Sequence, residues 1–275
     1  MFKILKKQEL APKIKLMDVS APEIARKAKP GQFVVLRVDD KGERFPLTLV
    51  DWNCEEGWIR LIFQEVGVST IKLGSLSVGD SILDVVGPLG TPSEIMNYGL
   101  VAVVGGGVGI APAYPIAKAL KKSGNRIVSI IGARSAELLI LEDEMREVSD
   151  ELYISTDDGS KGHKGFVSDV LKMLIEKNYP FNLVYAVGPA IMMKVVASVT
   201  KPYGIKTVVS LNPIMVDATG MCGACRVTVG GKTKFVCVDG PEFDAHEVDF
   251  DELMKRQRMY LDEERRALEK FERHV

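Results

Sequence analysis

At 275 residues and 46% hydrophobic, the chain is long enough for two ordinary domains with separate cores and a small appendage. A formal net charge of −1 argues against nucleic acid as a main partner, and no run of eighteen apolar residues predicts a membrane span. Of four cysteines, three fall within the short stretch Cys222 to Cys237, which suits a reducing compartment such as the cytoplasm better than a disulfide framework. The first residues, MFKILKKQELAPKIK, lack the long apolar core of a secretory leader.

Residues 1–97 read as short strands (FKILKKQEL, KIKLMDVS, QFVVLRVDD, FPLTLVDW and GWIRLIFQEV) separated by Pro, Gly and charged turns, the pattern of a β-barrel. Two pieces within it stand out, Arg44-Phe45-Pro46-Leu47-Thr48 and Gly67-Val68-Ser69-Thr70. The second follows a strand and opens a helical turn whose free N–H groups and hydroxyls suit a pyrophosphate. Taken singly, each also reads as an ordinary turn. Cys54, in the turn DWNCEEGW, reads as a lone thiol.

At Gly99 the texture changes to apolar strands alternating with amphipathic helices, so residues 98–212 predict a parallel α/β sheet. LVAVVGGGVGIAPAYPIAKAL is a buried strand, a turn containing Gly105, Gly106, Gly107 and Gly109, and a helix whose N-terminus suits a phosphate. Ile110 replaces the last glycine of the dinucleotide fingerprint, and no acidic residue ends the second strand, RIVSIIGARS. Further elements follow in order: Ile110-Ala111-Pro112, Gly132-Ala133-Arg134-Ser135, Thr156-Asp157-Asp158-Gly159, and Val187-Gly188-Pro189 before a helix with Met192 and Met193.

Together with Gly87-Pro88-Leu89-Gly90, these elements resemble the ferredoxin reductase-like family. The resemblance implies a β-barrel that binds FAD, with Arg44, Pro46, Leu47 and Thr48 on the flavin strand and Gly67, Ser69 and Thr70 at the pyrophosphate. With Thr48 in register, the family's arginine falls at Phe45, one place after Arg44. It implies that NAD(H) or NADP(H) lies against Gly105, Gly106, Gly107, Gly109, Arg134, Asp157, Asp158, Gly188 and Pro189. Arg134 suits a 2′-phosphate, the pyrophosphate or plain solvent, so both nucleotides stay open.

In residues 213–243, Cys222-x2-Cys225 is followed by eleven residues and Cys237. This resembles the last three ligands of a plant-type 2Fe-2S site, with Asp217 where the remaining ligand belongs. The alternatives are a zinc knuckle or a structural loop with free thiols, in which Asp217 is a turn or capping residue. A flavin barrel, a nucleotide domain and a C-terminal 2Fe-2S module, in that order, resemble the dihydroorotate dehydrogenase electron-transfer subunits and the related small subunits of NADH-dependent ferredoxin:NADP oxidoreductase. The former are associated with cysteine at the place of Asp217 and the latter with aspartate. That likeness implies a subunit that moves electrons between nicotinamide, FAD and the cluster, to or from a large iron-sulfur flavoprotein subunit. A dihydroorotate-oxidising partner and a non-catalytic redox sensor are the other readings.

The tail, 244–275, reads as a charged helix with sparse apolar positions, Leu253, Met254, Tyr260, Leu261, Leu268 and Phe271, forming a solvated face or a partner clasp. His163, His246 and His274 form no recognisable pair, and Gly105–Gly109 lacks the Gly-Lys-Ser/Thr of a P-loop. No side-chain catalyst is expected; the redox chemistry belongs to the cofactors.

Overall fold

The structure is a computed structural model that describes residues 1–273, so His274 lies outside the described residues. The N-terminal strands are β1 (Phe2–Ala11), β2 (Ile14–Ser20), β3 (Phe33–Arg37), β4 (Phe45–Thr48), β5 (Asp51–Asn53), β6 (Trp58–Gln64), β7 (Ser81–Ile82) and β8 (Asp84–Leu89), with the short helix α1 (Pro22–Ala25) and α2 (Val68–Ser75) between them. They form two sheets, ordered β5-β6-β2-β1-β7 and β4-β3-β8, that close on one core. Alternation sets what each face does. Met17 and Val19 on β2, with Ile59, Leu61 and Phe63 on β6, fill the barrel. The opposite faces of the same strands carry Ile14, Leu16 and Ile62, and these pack against the second domain. On that outer face Asp18 and Arg60 stand opposite each other, joined by two bonds of 2.7 and 2.8 Å. Pro46 is tolerated because β4 is an edge strand, where a missing N–H interrupts no ladder.

The second domain runs through β9 (Leu100–Gly106), α3 (Ile110–Lys122), β10 (Arg126–Ala133), α4 (Glu142–Glu147), β11 (Glu151–Thr156), β12 (His163–Lys164), α5 (Val167–Glu176), β13 (Leu183–Val187), α6 (Ala190–Thr200) and β14 (Lys206–Ser210). The sheet order is β12-β11-β10-β9-β13-β14, all parallel, with one antiparallel strand added at the β14 edge. Val101 and Val103 of β9 face α3, whereas Ala102 and Val104 face α5 and α6. Chain order reverses between β9 and β13, and the crevice at the carboxyl ends of those strands is where open α/β sheets bind ligands.

The C-terminal part comprises the hairpin β15 (Arg226–Val229) and β16 (Lys232–Phe235), the turn α7 (Val236–Asp239), β17 (Glu242–Asp244), and helices α8 (Phe250–Gln257) and α9 (Leu261–Glu272). β17 is the antiparallel strand on β14, so the small module is an extension of the nucleotide-domain sheet. Helix α8 starts at Asp249, whose carboxylate accepts the Glu252 N–H at 2.9 Å, and docks on α6 through Phe250 and the fully buried Leu253. Lys194 and Asp251 close that contact at 2.7 Å. Helix α9 carries the charge expected of a solvated face and lies beside α2, with Leu268 and Phe271 half-buried. No helix among the described residues is long and apolar enough to cross a membrane.

Because Leu253 is buried on its own chain, Leu253→Ala should destabilise the α6–α8 packing by about 2–5 kcal/mol. Thermal unfolding followed by circular dichroism would register this as a lowered midpoint; an unchanged midpoint would mean α8 is not docked.

Candidate functional site

The candidate residues fall in three sets, one on the barrel, one at the carboxyl ends of the parallel strands and one in the small module, whose Cys237 turn is tied to the barrel through Thr91 and Gly240. On the barrel, β4 presents Phe45, Pro46, Leu47 and Thr48, all half-buried, while Arg44 just before it is exposed. Gly67 caps α2, and Thr70 locks the turn: its hydroxyl oxygen accepts the N–H groups of Val66 and Gly67 at 3.0 and 3.1 Å and donates to the Gly67 carbonyl. That leaves the backbone N–H groups of Val68, Ser69 and Thr70 in the first helical turn, where the helix end favours an anion. A Cβ built on Gly67 would meet nothing within 4 Å, so the mouth of this turn is open. Thr70 is thus the residue that shapes the site, and Ser69 is the one with a hydroxyl to offer.

At the carboxyl end of β9 the glycines divide by role. A Cβ on Gly105 would approach Ile110, one on Gly106 would meet Met192 at 2.4 Å, and one on Gly109 would lie 2.5 Å from the Val187 carbonyl. Those positions are small so that α3 and the β13–α6 turn can close on β9. Gly107 differs: its φ is +57°, which favours glycine, and a Cβ there would point into open space, so the backbone at this turn is accessible. Gly188 sits across the crevice, packed under Met192 and the Gly106 carbonyl, and Pro189 caps α6. Beyond it, the loops after β10 and β11 are tied together, the Asp158 N–H donating to the Arg134 carbonyl at 3.1 Å. Asp158 is held ionised by the hydroxyl and N–H of Ser160, closing its own turn. The Arg134 side chain is exposed and in no ion pair among the described residues.

In the small module, the loop before β15 brings Asp217 back onto Cys222, whose N–H donates to the carboxylate at 3.1 Å. The Thr219 hydroxyl and N–H bond the other carboxylate oxygen; the hydroxyl, then the Cys222 N–H, hold Asp217 below the usual carboxylate range. Ala218 between them is buried in the left-handed region at φ +61°. Cys225 and Cys237 are buried with their sulfurs 3.2 Å apart. Burial, then the neighbouring Cys225 thiol, push the Cys237 thiol up to about 12, while the Gly220 N–H on its sulfur pulls the other way.

The four residues therefore form two pairs, Asp217 with Cys222 and Cys225 with Cys237. Among the described residues, no three His, Cys, Asp or Glu side chains converge on one point, as a single zinc ion would require. Two thiolates on one tetrahedral metal with bonds of about 2.3 Å lie about 3.8 Å apart. Cys225 and Cys237 are near that spacing, so two pairs of ligands fit a group with two metal ions. Cys54 is elsewhere, its thiol donating to the Ala25 carbonyl of α1 at 3.3 Å.

Several residues that join these sites carried no signal in the sequence. The Thr91 N–H donates to the Gly240 carbonyl at 2.7 Å and its hydroxyl to the Val238 carbonyl at 3.2 Å, stitching the barrel's closing turn to the segment just after Cys237. Nearby, Ser93 and Tyr185 both donate to one oxygen of Glu242, whose carboxyl is raised by burial. Arg226 and Arg256 donate to the successive carbonyls of Gly223 and Ala224, both at 3.0 Å. Apart from the local Arg226–Gly223 bond, these contacts join segments distant in sequence.

In the metal-free chain, exposed Cys54 and Cys222 should label rapidly with a thiol reagent at pH 8, whereas Cys225 and Cys237 should label slowly. The thiolate is the reactive form, and a raised Cys237 keeps its proton at pH 8 and yields it only as the pH climbs. Mass spectrometry of a labelling time course would check this; equal rates at all four would contradict the packing.

Comparisons with known proteins agree with this layout. Residues 103–198 match the oxidoreductase NAD-binding domain, and residues 212–249 match the iron-sulfur cluster binding domain of dihydroorotate dehydrogenase B. The chain is 53% identical over 268 residues to a dihydroorotate dehydrogenase B (NAD(+)) electron transfer subunit homolog of Thermotoga maritima, covering 98% of this chain and 94% of that protein. It is 35% identical over 231 residues to the electron transfer subunit of Fusobacterium nucleatum, covering 81% and 87% of the two chains. A solved structure of NADH-dependent reduced ferredoxin-NADP oxidoreductase superimposes with a TM-score of 0.93 at 51% identity, covering 98% of each chain. Phthalate dioxygenase reductase, at 19% identity and a TM-score of 0.59 over 83% of this chain and 85% of that one, shares the fold. The barrel, the parallel sheet and the appended cysteine module are thus those of a ferredoxin reductase-like oxidoreductase, and the chain belongs to the family of dihydroorotate dehydrogenase B electron transfer subunits.

Proposed function

We propose that this chain is the electron-transfer subunit of an NADH-dependent ferredoxin:NADP oxidoreductase, taking hydride from a nicotinamide nucleotide and passing single electrons to a large iron-sulfur flavoprotein subunit. The observation that carries the reading is the stitch between Thr91 and Gly240, which holds the barrel's closing turn beside the Cys237 turn. FAD supplies the conversion between a two-electron hydride and single electrons, and a 2Fe-2S cluster supplies the one-electron exit. What the chain itself does is bind, orient and exclude water.

Each residue then has a task. The strand Phe45–Thr48, with Arg44 at its approach, lines the flavin, and Gly67, Ser69 and Thr70 offer the α2 terminus to its pyrophosphate. Gly107 admits the nicotinamide pyrophosphate while Gly105, Gly106, Gly109, Gly188 and Pro189 shape the crevice. Arg134 and Asp157, both exposed, are placed to meet the ribose and phosphate at its far end, and Asp158 holds that loop closed. Asp217 and the three cysteines hold the cluster, with Asp217 already ionised as a ligand must be.

Asp217 favours this reading over a dihydroorotate-oxidising complex, whose electron-transfer subunits are associated with cysteine there. The names of the relatives favour the dihydroorotate reading, which remains the second one. Around the ligand loop, Val216, Met221 and Val238 are exposed, Met221 to 89%, an apolar rim suited to a docked protein rather than to water. The similar solved structure is described in connection with flavin-based electron bifurcation, and we assign that step here to the partner subunit. The free thiols suit a reducing compartment such as the cytoplasm.

Anaerobically purified chain should contain FAD and two irons, and Gly107→Val should slow NADH reduction of the flavin at least tenfold with both cofactors retained, as stopped-flow absorbance would show. Normal flavin reduction in that variant would move the nucleotide elsewhere. Asp217→Cys should keep the iron with a shifted potential, while Asp217→Ala should lose iron on gel filtration. A stable, spectroscopically unaltered cluster in Asp217→Ala would overturn the ligand assignment.

A further inference from the structure

Arg256 belongs to α8, beyond the 212–249 stretch that matches the cluster-binding domain, yet it reaches into the ligand loop. Its Nη2 donates to the carbonyl of Ala224, the residue between Gly223 and Cys225, at 3.0 Å. Helix α8 is held in place for this by buried Leu253 and by Glu252, whose carboxylate accepts the Thr228 N–H of β15 at 2.8 Å. The guanidinium forms no ion pair among the described residues, and its Nε is a buried donor with no partner there. A buried donor left without an acceptor is costly, and native structures pair nearly all of them, with ordered water, an ion or a cofactor where the chain offers nothing. The neighbouring Arg226 is different, because it is exposed and holds the Gly223 carbonyl from the solvent side.

We infer that Arg256 is a positioning residue for the 2Fe-2S cluster: it fixes the Cys222–Cys225 loop through Ala224 and sets its otherwise uncompensated positive charge beside the cluster, favouring the reduced state. The inference rests on the cluster assignment made above. A cluster held by three thiolates and a carboxylate is anionic, and the single electron it accepts from the flavin adds one further negative charge. A cation in a partly buried position interacts with that added charge through a lower effective dielectric than water, so its removal disfavours reduction. A cluster held in that loop would bring sulfur atoms of the kind that can accept the unpaired Nε–H.

The test is an EPR-monitored redox titration of the anaerobically purified full chain, comparing the parent, Arg256→Gln and Arg256→Lys, with iron and FAD measured on each. Arg256→Gln should retain FAD and iron and shift the midpoint to lower potential, so that at the parent's midpoint the reduced-to-oxidised ratio falls about tenfold. Arg256→Lys should stay near the parent. An Arg256→Gln protein with full iron and an unchanged midpoint would overturn the inference. If Arg256→Gln cannot keep its cluster, Arg256→Lys decides: a cluster near the parent's midpoint supports the inference, and loss of iron from both variants with FAD retained makes Arg256 a structural prop and overturns it. Failure of the cluster assignment itself looks different, because the parent chain would then show neither iron nor an EPR signal on reduction.

Discussion

Gly240 is the point at which the three parts of this molecule are tied together. Its carbonyl accepts the Thr91 N–H of the barrel at 2.7 Å, and its own N–H donates to the Val236 carbonyl, closing the turn that carries Cys237. The next residue, Pro241, accepts the Leu211 N–H from the end of the parallel sheet at 2.9 Å. A rigid junction of backbone hydrogen bonds, buried at Gly240, therefore sets where the last cysteine lies relative to both other domains. For a chain whose task is to pass electrons between separate centres, that placement matters more than any one side-chain contact, since transfer depends on fixed separations.

The second principle of the molecule is that its chain contributes shape where its cofactors contribute reactivity. The nucleotide crevice is built mainly from small residues and helix ends, and the barrel offers a half-buried strand and a capped helix. Charge is concentrated instead at the cysteine module, where Asp217, Arg226 and Arg256 all act on one loop. That contrast fits the chemistry: hydride transfer asks for alignment, while a one-electron centre is tuned by the charges and hydrogen bonds around it.

Much of this was legible in the sequence, for reasons that can be traced residue by residue. The barrel and the sheet were readable because strand alternation and the strand-to-glycine-to-helix order are local. The spacing of Cys222, Cys225 and Cys237, with Asp217 before them, was equally local. The two-sided burial of β2 and β6 was not, because Ile14, Leu16 and Ile62 acquire their outer partners only when the second domain packs against them. The glycines after β9 looked equivalent as a string, yet steric surroundings separate Gly107 from Gly105, Gly106 and Gly109. The tail was legible as helix, but its charge hid the burial of Leu253 and the reach of Arg256 into the ligand loop. Contacts such as Thr91 to Gly240 join positions far apart in the chain, and no periodicity records them.

Flavin and cluster held together within one chain pass electrons between them internally. Rapid freeze-quench EPR of the isolated subunit mixed with limiting NADH measures this directly, by following the appearance of the reduced cluster at several protein concentrations. Internal transfer gives a first-order rate that does not change with protein concentration. A rate that rises in proportion to concentration would mean that the cluster is reduced by collision between molecules, and it would contradict internal transfer.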